Sequence, residues 1–461
     1  MVKIGISDST IVIGGDEKEL KMIQKSQTYD DNSACYSRGG YDIRKLKHVP
    51  LLKEMKGKLV GFAGLAREVL MFCVSNKIQI ENIEDKRSHF DYQKKEYTHD
   101  ELRSFFNPKF KYVEHQIRAL EAMLKTNKGL VVAPTSAGKT SIIAAFLKIT
   151  DLPVLILTDR ATLGAQLADD FCNMGIDCGF CSGKGYKKGK CVVSTIQSVK
   201  KIQDLPRFKA VIVDECHRAS SKSFQNFLAT FGCPLKYGFS ASPSNGNYLD
   251  FAKIRQQLGA IIIQIHSEEL MENEVMAKAK IFMVETECSE TEDYPSANEL
   301  GIVENERRNK TIVDIVNKHK DDGGVAILIK NLEHGEKLAE AIPEAEFIRG
   351  ETSLDDRMDI IKRFNEGEIK VLIGSGILNE GISISNMKVL IMAGGGKAMT
   401  QTVQKIGRVL RITENKKQGI FYDFIDMGNK FLFKHSKQRL VIYKKEGFSD
   451  ITLLNDELQE K

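Results

Sequence analysis

A stretch in the first half of the chain has the residue types of a loop that binds phosphate groups. Residues 133–140 read APTSAGKT, follow the apolar run LVV and precede the helical run SIIAAFLKI. In such a strand–loop–helix unit, backbone amides and the helix N-terminus hold phosphate oxygens. Lys139 would neutralise the β and γ phosphates of a nucleotide, and the Thr140 hydroxyl would bind Mg²⁺. The predicted nucleotide-binding residues are Pro134, Thr135, Ser136, Ala137, Gly138, Lys139 and Thr140.

Two adjacent acids follow another apolar run. Asp214, Glu215, Cys216 and His217 come directly after AVIV, and ligands bind at the carboxyl ends of strands in open α/β sheets. We predict that Asp214 holds Mg²⁺ largely through water and that Glu215 orients and deprotonates the attacking water. Two solvated acids at a strand end would be common by themselves, but beside the phosphate loop a catalytic pair is favoured. His217 is expected to couple this site to the SAS segment at 240–242.

A third set of polar residues lies in the helical stretch MTQTVQKIGRVLRI. Gln404, Arg408 and Arg411 are spaced i, i+4 and i+7 and so share one helix face. Two arginines one turn apart suit the stabilisation of charge that develops on a γ-phosphate, acting from across a cleft between two domains. The alternative is an amphipathic helix with a solvated basic side.

The composition is that of a globular protein. The chain has 461 residues, 42% of them hydrophobic and 28% charged, and a formal net charge of +5. At about 150 residues per domain, this length suggests about three domains. No apolar run approaches the ~20 residues that span a bilayer, and the N-terminus lacks the features of a signal peptide. We expect a cytoplasmic protein, in the host cytoplasm if the source is viral, with no membrane partner; nucleic acid would bind through local basic patches.

The nine cysteines indicate a reducing compartment, because their number is odd and no secretory feature accompanies them. Cys178 and Cys181 have the spacing of half a zinc site. No second pair of cysteines or histidines follows at a suitable spacing, so buried or half-buried thiols are the favoured interpretation of these two and of Cys172 and Cys191.

The order of apolar runs predicts an α/β fold. Residues 1–100 combine short β-like runs with the helical segment GLAREVLMFCVSN and are predicted to form a small α+β domain. Residues 101–285 and 286–461 each alternate β-branched runs with helical patterns, as in parallel sheets buried on both faces. The runs are GLVVA, PVLILT, CVVST, AVIVDE, YGFSAS and AIIIQI in the first half, and GVAILI, AEFIRG, KVLIGS, KVLIMA and GIFYDF in the second. The acidic stretch VETECSETEDYPSANE is interpreted as a linker or a surface insertion.

In this order, APTSAGKT, DECH, SAS and QKIGRVLR resemble the motifs of superfamily-two helicases, the DEAD/DEAH-related group, over about Gln116 to Arg411. The resemblance implies two tandem RecA-like parallel-sheet domains, ATP and Mg²⁺ as cofactors, and ATP hydrolysis coupled to movement on nucleic acid. The short N-terminal domain and the IGRVLR ending look most like phage UvsW-type DNA helicases, which remodel branched DNA in recombination, repair and replication.

The same resemblance assigns further residues. It implies that Gln116 reads the adenine edge and that Glu380 and Gly381 couple ATP to the bound strand; an ordinary helix-surface role for Gln116 stays open. It places contacts with the nucleic-acid strand at Arg160, Thr195, Gln197 and Lys330.

Two basic segments could add to strand binding. The first carries Lys184, Lys187, Lys188 and Lys190, and the second, residues 428–445, carries six basic residues interleaved with Phe431, Phe433 and Tyr443. A solvated surface is the alternative for each. The expected partner is branched or forked DNA, with recombination or replication proteins as further partners. The enzyme itself is expected to be a monomer. An RNA helicase, a restriction-type DNA translocase and a nucleic-acid-binding or annealing module switched by ATP remain alternative functions.

Overall fold

A computed structural model describes the chain except for residues 32, 38–39, 42, 109–112, 135–136, 245–246, 277, 376–383, 385, 396–417, 446–447 and 461. Its contacts divide the chain into two compact units. The first contains Met1–Ala133 and Gly138–Ile265, and the second contains Pro134–Ala137 and His266–Lys461.

The N-terminal part of the first unit is a five-stranded mixed sheet with its own apolar core. Along the sheet the strands are β7 (Lys53–Met55), β8 (Lys58–Phe62), β2 (Thr10–Gly15), β1 (Val2–Ile6) and β9 (Ile80–Asp85). Two small ribbons pair β3 (Thr28–Asp31) with β6 (Lys47–Pro50) and β4 (Tyr36–Ser37) with β5 (Gly40–Tyr41). Helices α1 (Glu17–Ser26) and α2 (Ala66–Ser75) follow β2 and β8 in the chain. The predicted helix is confirmed in α2, where Val69 and Cys73 are buried.

This N-terminal sheet domain packs on helix α9 (Tyr248–Leu258) of the parallel-sheet part of the same unit. Arg255 lies 2.9 Å from the carboxylate of Glu68 and donates a hydrogen bond to the Tyr29 hydroxyl. The backbone of Gly64 approaches α9 so closely that a Cβ there would lie 2.3 Å from the carbonyl oxygen of Arg255. A glycine is therefore required where the two parts meet.

An eight-stranded sheet forms the rest of the first unit, and all its strands are parallel except the edge strand β13. In sheet order they are β13 (Gly185–Lys187), β12 (Cys178–Ser182), β14 (Cys191–Thr195), β11 (Val154–Thr158), β15 (Ala210–Asp214), β16 (Leu235–Ser240), β10 (Lys128–Val132) and β17 (Ile261–Gln264). The other helices are α3 (Asp91–Lys94), α4 (His99–Arg103), α5 (Glu114–Leu124), α6 (Lys139–Thr150), α7 (Ala161–Asn173) and α8 (Lys222–Thr230).

The second unit contains a seven-stranded, wholly parallel sheet within its described residues. In sheet order its strands are β20 (Ala345–Ile348), β21 (Val371–Gly374), β19 (Gly324–Leu328), β22 (Met387–Ile391), β23 (Gln418–Met427), β18 (Lys278–Glu287) and β24 (Ile451–Leu454). Its helices are α10 (Ser267–Glu272), α11 (Tyr294–Asn298), α12 (Glu306–His319), α13 (Leu332–Ala341), α14 (Leu354–Glu366) and α15 (Lys430–Lys445), with a π-helical turn at Glu299–Val303.

These two sheets confirm the predicted α/β fold of two tandem RecA-like parallel-sheet domains after a small α+β domain. Buried β-branched and leucine side chains fill the core of each sheet, as expected for parallel strands covered on both faces. None of the helices that the structure describes combines the length and the apolar character needed to span a lipid bilayer.

Strand β18 lies across the boundary that the sequence places at residue 285. It pairs with β23 over ten residues and with β24 on its other side, so it belongs to the second sheet. The compact units divide at Ile265 instead. The acidic stretch that begins at Val284 is therefore not a linker: its first residues complete β18, and α11 follows. The charges of Glu285 and Glu287 concealed an alternating strand pattern.

Buried thiols are confirmed for Cys178, Cys181 and Cys191, which lie on strands β12 and β14, whereas Cys172 is exposed. Cys178 and Cys191 are paired residues of neighbouring strands. In the described ranges, these cysteines form no group of three ligand atoms near enough to share a metal ion.

Candidate active site

The phosphate loop connects the buried strand β10 to helix α6. The amide of Ala133 donates a hydrogen bond to the carbonyl of Ser240 (3.0 Å), which ties the start of the loop to the neighbouring strand β16. Gly138 has φ = 74° and immediately precedes the first residue of α6, Lys139. A left-handed conformation at this point favours glycine. Pro134 and Ala137 are buried, Lys139 and Thr140 are half-buried, and Thr135 and Ser136 lie outside the described residues.

Gln116 lies against this loop. It is 6% exposed on helix α5, and its Nε2 would be 2.2 Å from a Cβ added to Gly138. The absence of a side chain at Gly138 therefore makes room for the Gln116 amide. The structure places Gln116 beside the phosphate loop, while its contact with adenine stays a prediction.

Lys139 and the two acids converge at the carboxyl end of the sheet. The Lys139 ammonium lies 3.4 Å from Oε1 of Glu215, and His217 Nδ1 lies 3.3 Å from the other carboxylate oxygen, Oε2. His217 Nδ1 is also 3.3 Å from the Ser240 hydroxyl, which accepts a hydrogen bond from the Ser242 amide. The predicted link from His217 to the SAS segment is therefore present as a direct side-chain contact.

Glu215 has φ = 50°, one of the few non-glycine residues of the described chain in the left-handed region. Such a conformation costs on the order of 1–3 kcal/mol and persists where surrounding contacts hold it. Here the side-chain contacts with Lys139 and His217 supply that restraint.

The electrostatics distinguish the two carboxylates. Burial favours the neutral form of Glu215, but the Lys139 charge and the His217 hydrogen bond outweigh it and lower the pKa to about 2. Burial and repulsion by Glu215 raise the pKa of Asp214 to about 6. For Lys139, burial is outweighed by the two carboxylates, so its pKa is raised. Glu215 is thus compensated by protein charges, whereas Asp214 has the environment that a nearby divalent cation would stabilise.

The residues assigned to strand contacts in the first unit lie at the same edge of the sheet. Arg160 follows β11, and Thr195 ends the adjacent strand β14, where it is the register partner of Thr158. Gln197 is exposed. Thr195 is 5% exposed, and its hydroxyl is 3.0 Å from the Ser198 hydroxyl. A strand contact at Thr195 would therefore use its backbone.

Two charged residues that the sequence interpretation did not single out lie beside Arg160. The Asp159 carboxylate is 3.9 Å from Arg160 Nε and 3.7 Å from Arg218 Nε. Arg218 directly follows His217, and Arg160 directly precedes α7. Through their contacts with Asp159, these two arginines connect the acidic motif to the start of α7. Their positions next to recognised motifs were the only signal available in the sequence.

In the second unit, exposed Lys330 lies next to an aromatic residue that was also missed. Its ammonium donates a hydrogen bond to the Tyr294 hydroxyl (3.1 Å) and lies 5.2 Å from the centre of that ring. Tyr294 is in the stretch that was interpreted from the sequence as a linker or a surface insertion. The predicted residues Glu380, Gly381, Gln404, Arg408 and Arg411 lie outside the described residues.

The basic segment at 428–445 is in part a core element, so its interpretation as a nucleic-acid-binding or solvated surface is wrong for its buried residues. Arg439 and Tyr443 are 0% exposed, and both bind Oδ2 of Asp423, at 2.7 and 2.6 Å. Neither can contact a nucleic acid. The exposed basic residues of α15 are Lys430, Lys434, Lys437 and Lys444. In the other segment, Lys188 and Lys190 pair with Asp204 and Asp151.

Two protein families match this chain. The profile of the type III restriction enzyme res subunit matches residues 109–245, and that of the helicase conserved C-terminal domain matches residues 300–413. The first range contains the phosphate loop and the acidic motif, and the second contains the segment with Gln404, Arg408 and Arg411.

Similar proteins carry helicase and translocase names. The ATP-dependent DNA helicase uvsW of enterobacteria phage T4 is 26% identical over 374 residues, which cover 71% of this chain and 74% of that protein. The DNA 3'-5' translocase XPB2 of Sulfurisphaera tokodaii is 23% identical over 366 residues, with coverages of 68% and 81%. The structure of S. cerevisiae Dbp5 bound to RNA and ADP BeF3 superposes with a TM-score of 0.54 at 16% identity, covering 75% of this chain and 90% of Dbp5, and supports the fold.

Proposed function

This chain belongs to the superfamily-two helicases and is related to UvsW, and from that premise we propose that it is a DNA helicase that uses ATP to translocate on and remodel branched DNA. Branch migration, fork regression and the unwinding of displacement and RNA loops are the proposed reactions. They would serve recombination, repair or replication.

The observation that carries the proposal is the arrangement of residues along one edge of the first parallel sheet. The phosphate loop follows β10, Asp214 ends β15, and Arg160 and Gln197 follow β11 and β14. Because the carboxyl ends of parallel strands share an edge, nucleotide and strand contacts are neighbours there. The names of the uvsW and XPB2 relatives support DNA as the polymer.

Within this site each residue has a distinct proposed task. The amides of the loop and Lys139 bind phosphate oxygens, Gln116 selects adenine, and Glu215 orients and deprotonates the attacking water. Thr140 and Asp214 would hold Mg²⁺, which supplies positive charge to the phosphate oxygens. Asp214 lies at the carboxyl end of β15 beside Glu215, where a cation would offset the repulsion between the two carboxylates.

The second domain has proposed tasks as well. Arg408 and Arg411, with Gln404, would stabilise charge on the γ-phosphate, and Glu380 and Gly381 would link the nucleotide to the bound strand. If so, Arg408→Ala should keep ATP binding but lose hydrolysis, and unchanged turnover would remove the assigned role. Lys330, with Tyr294 beside it, would contact the strand.

The test is strand displacement on forked, four-way and linear duplexes, with and without ATP, using RNA duplexes of the same sequence in parallel. We expect ATP-dependent displacement, fastest on the branched DNA. Lys139→Ala should abolish it, and displacement by that variant would reject the motor function. A preference for RNA would indicate an RNA helicase. Movement on linear DNA without unwinding would indicate a restriction-type translocase, and ATP-dependent affinity without displacement would indicate a binding module.

A further inference from the structure

A basic cavity of about 320 Å³ lies in the first compact unit, between the N-terminal sheet domain and the first parallel sheet. Four chain segments line it: residues 63–67, 87–93, 125–128 and 259–262. Among the described residues that line it there is no aspartate or glutamate. The basic ones are Arg67, Arg87, His89, Lys125 and Lys128.

The positive charge of this cavity is only partly compensated. Arg87 is paired with Asp85, with Nη2 2.5 Å from a carboxylate oxygen. In the described part of the chain, no carboxylate oxygen lies within 4 Å of Arg67, Lys125 or Lys128. An anion that enters the cavity would therefore meet several cations without displacing an existing partner of these three.

The surroundings of Lys128 in this cavity disfavour its protonated form. Burial lowers its pKa to about 7, and the Lys236 ammonium on the neighbouring strand β16 lowers it further. Asp8 and Cys233 act in the opposite direction without offsetting the effect, and Arg87 adds a small repulsion. A bound anion would favour the protonated amine, since an opposite charge nearby stabilises the charged form.

The wall of the cavity is held in place by hydrogen bonds. The Gln93 amide donates to Asn127 Oδ1 (2.8 Å), and the Asn127 amide donates to the carbonyl of Ser88 (2.8 Å). The lining residues 63–67 include the first turn of helix α2, the end of a helix that favours negative charge. The two hydrogen bonds join the segment that connects the two sheets to Asn127, the residue before β10.

The cavity is separate from the ATP site. Lys128 is the first residue of strand β10, and the phosphate loop follows its last residue, Val132. At about 3.3 Å per residue, the length of the strand separates them by roughly 13 Å. The two sites therefore lie at opposite edges of the same sheet.

We propose that this cavity binds a phosphate group of the nucleic-acid backbone, an inference that rests on the proposed function for its choice of DNA. Arg67, His89 and Lys125 are exposed, whereas Arg87 and Lys128 are half-buried. An exposed basic rim above deeper cations suits a phosphodiester in a long polymer that stays partly in solvent. A strand held here would be recognised jointly by the N-terminal domain and the motor domain.

The full-length variant Arg67→Gln/Lys125→Gln tests this site, because both side chains are exposed and their removal should leave the fold intact. The matched control is Lys18→Gln/Lys25→Gln, which removes two exposed charges of helix α1 that do not line the cavity. Affinity for forked DNA is measured without ATP at several salt concentrations. We expect weaker binding than in the control and a salt slope reduced by about 1 for each phosphate that the variant no longer binds. Equal affinity and slope in the two variants would overturn the proposal.

A second titration separates the polymer from a free phosphate. Inorganic phosphate is added to Lys139→Ala protein in a calorimeter, so that the lysine of the nucleotide loop no longer contributes. We expect no saturable heat of phosphate binding. The assignment to a nucleic acid would be overturned if phosphate gave saturable heat, if the Arg67→Gln/Lys125→Gln substitutions removed that heat, and if the same substitutions left the affinity for DNA unchanged. If cavity variants weaken DNA binding but the wild-type enzyme displaces no strand, the proposed function fails and the site stands.

Discussion

The ammonium of Lys139 lies 3.4 Å from Oε1 of Glu215, so the lysine expected to bind phosphates is paired with the carboxylate expected to activate water. Burial favours the neutral form of Glu215, but the charge of Lys139 and the hydrogen bond with His217 outweigh burial and lower the pKa of Glu215. A phosphate that reaches the loop must compete with Glu215 for Lys139. Glu215, the proposed base, and Lys139, the proposed phosphate-binding residue, therefore form one ion pair.

Glu215→Gln should consequently separate binding from hydrolysis. Nucleotide affinity should be equal or higher because Lys139 loses its competing carboxylate. ATP turnover should fall by about 10²- to 10⁴-fold, the usual contribution of a general base. Equilibrium binding of a fluorescent nucleotide and steady-state turnover measure the two effects. Lys139→Ala is the comparison and should lose nucleotide binding itself; weaker binding in Glu215→Gln would contradict the competition.

Ser240→Ala should reduce the coupling between ATP hydrolysis and strand displacement. The Ser240 hydroxyl lies 3.3 Å from His217, which in turn contacts Glu215. Removing the hydroxyl should lower the number of base pairs displaced per ATP by about tenfold. Ser194→Ala, another buried serine whose hydroxyl donates to a backbone carbonyl, is the control. Equal coupling ratios in the two variants would exclude this role for Ser240.

Gly64→Ala should destabilise the first unit. Its Cβ would lie 2.3 Å from the carbonyl oxygen of Arg255, so α9 and the N-terminal sheet domain would have to move apart. Overpacking of this kind costs about 1–3 kcal/mol. Gly183→Ala is the matched control, because no atom lies within 4 Å of the added Cβ there. Thermal unfolding measures both, and equal melting temperatures would show that the contact tolerates a side chain.

His334 should make the second unit sensitive to acid. Burial, with smaller effects of Arg308 and Lys337, lowers its pKa from 6.5 to about 3. Below pH 6.5 the unfolded chain binds a proton that the folded chain does not, so stability is lost as the pH falls from 6.5 towards 3. Between pH 7 and 5 the loss is about 2 kcal/mol.

Urea unfolding at pH 7, 6 and 5 measures this difference. His334→Gln should have lower stability at pH 7 but a smaller decrease towards pH 5. His266→Gln, at an exposed histidine, should retain the wild-type decrease. If the stability of His334→Gln decreased as much as that of the wild type between pH 7 and 5, groups other than His334 would be responsible for the acid sensitivity.

Local patterns predicted most of the strands that build the two sheets. The apolar runs beginning at Gly129, Pro153 and Ala210 correspond to β10, β11 and β15. Strand β12, CGFCS, was not recognised because it has no β-branched residue. Strand β18 was not recognised, because its acidic end resembled a surface segment.

Residue type did not distinguish surface from core in helix α15. Arg439 and Tyr443 belong to a basic and aromatic pattern typical of a nucleic-acid surface, yet both bind the buried carboxylate of Asp423. Asp423 is on strand β23 and is distant in sequence from both. A buried carboxylate can hold an arginine and a tyrosine in the core, because the hydrogen bonds between them offset the free-energy cost of burying these polar groups.

By itself, the sequence determined the elements and motifs whose cause is local: the strand–loop–helix at 128–150, the acidic strand end at 214 and the family to which they belong. Only the tertiary structure decided which distant residues meet. The order of strands in the sheet brings Glu215 to Lys139 and His217 to Ser240. The packing of the N-terminal sheet domain on α9 encloses a basic cavity from four separate segments. Periodicity reports only neighbours along the chain, whereas these contacts depend on long-range packing.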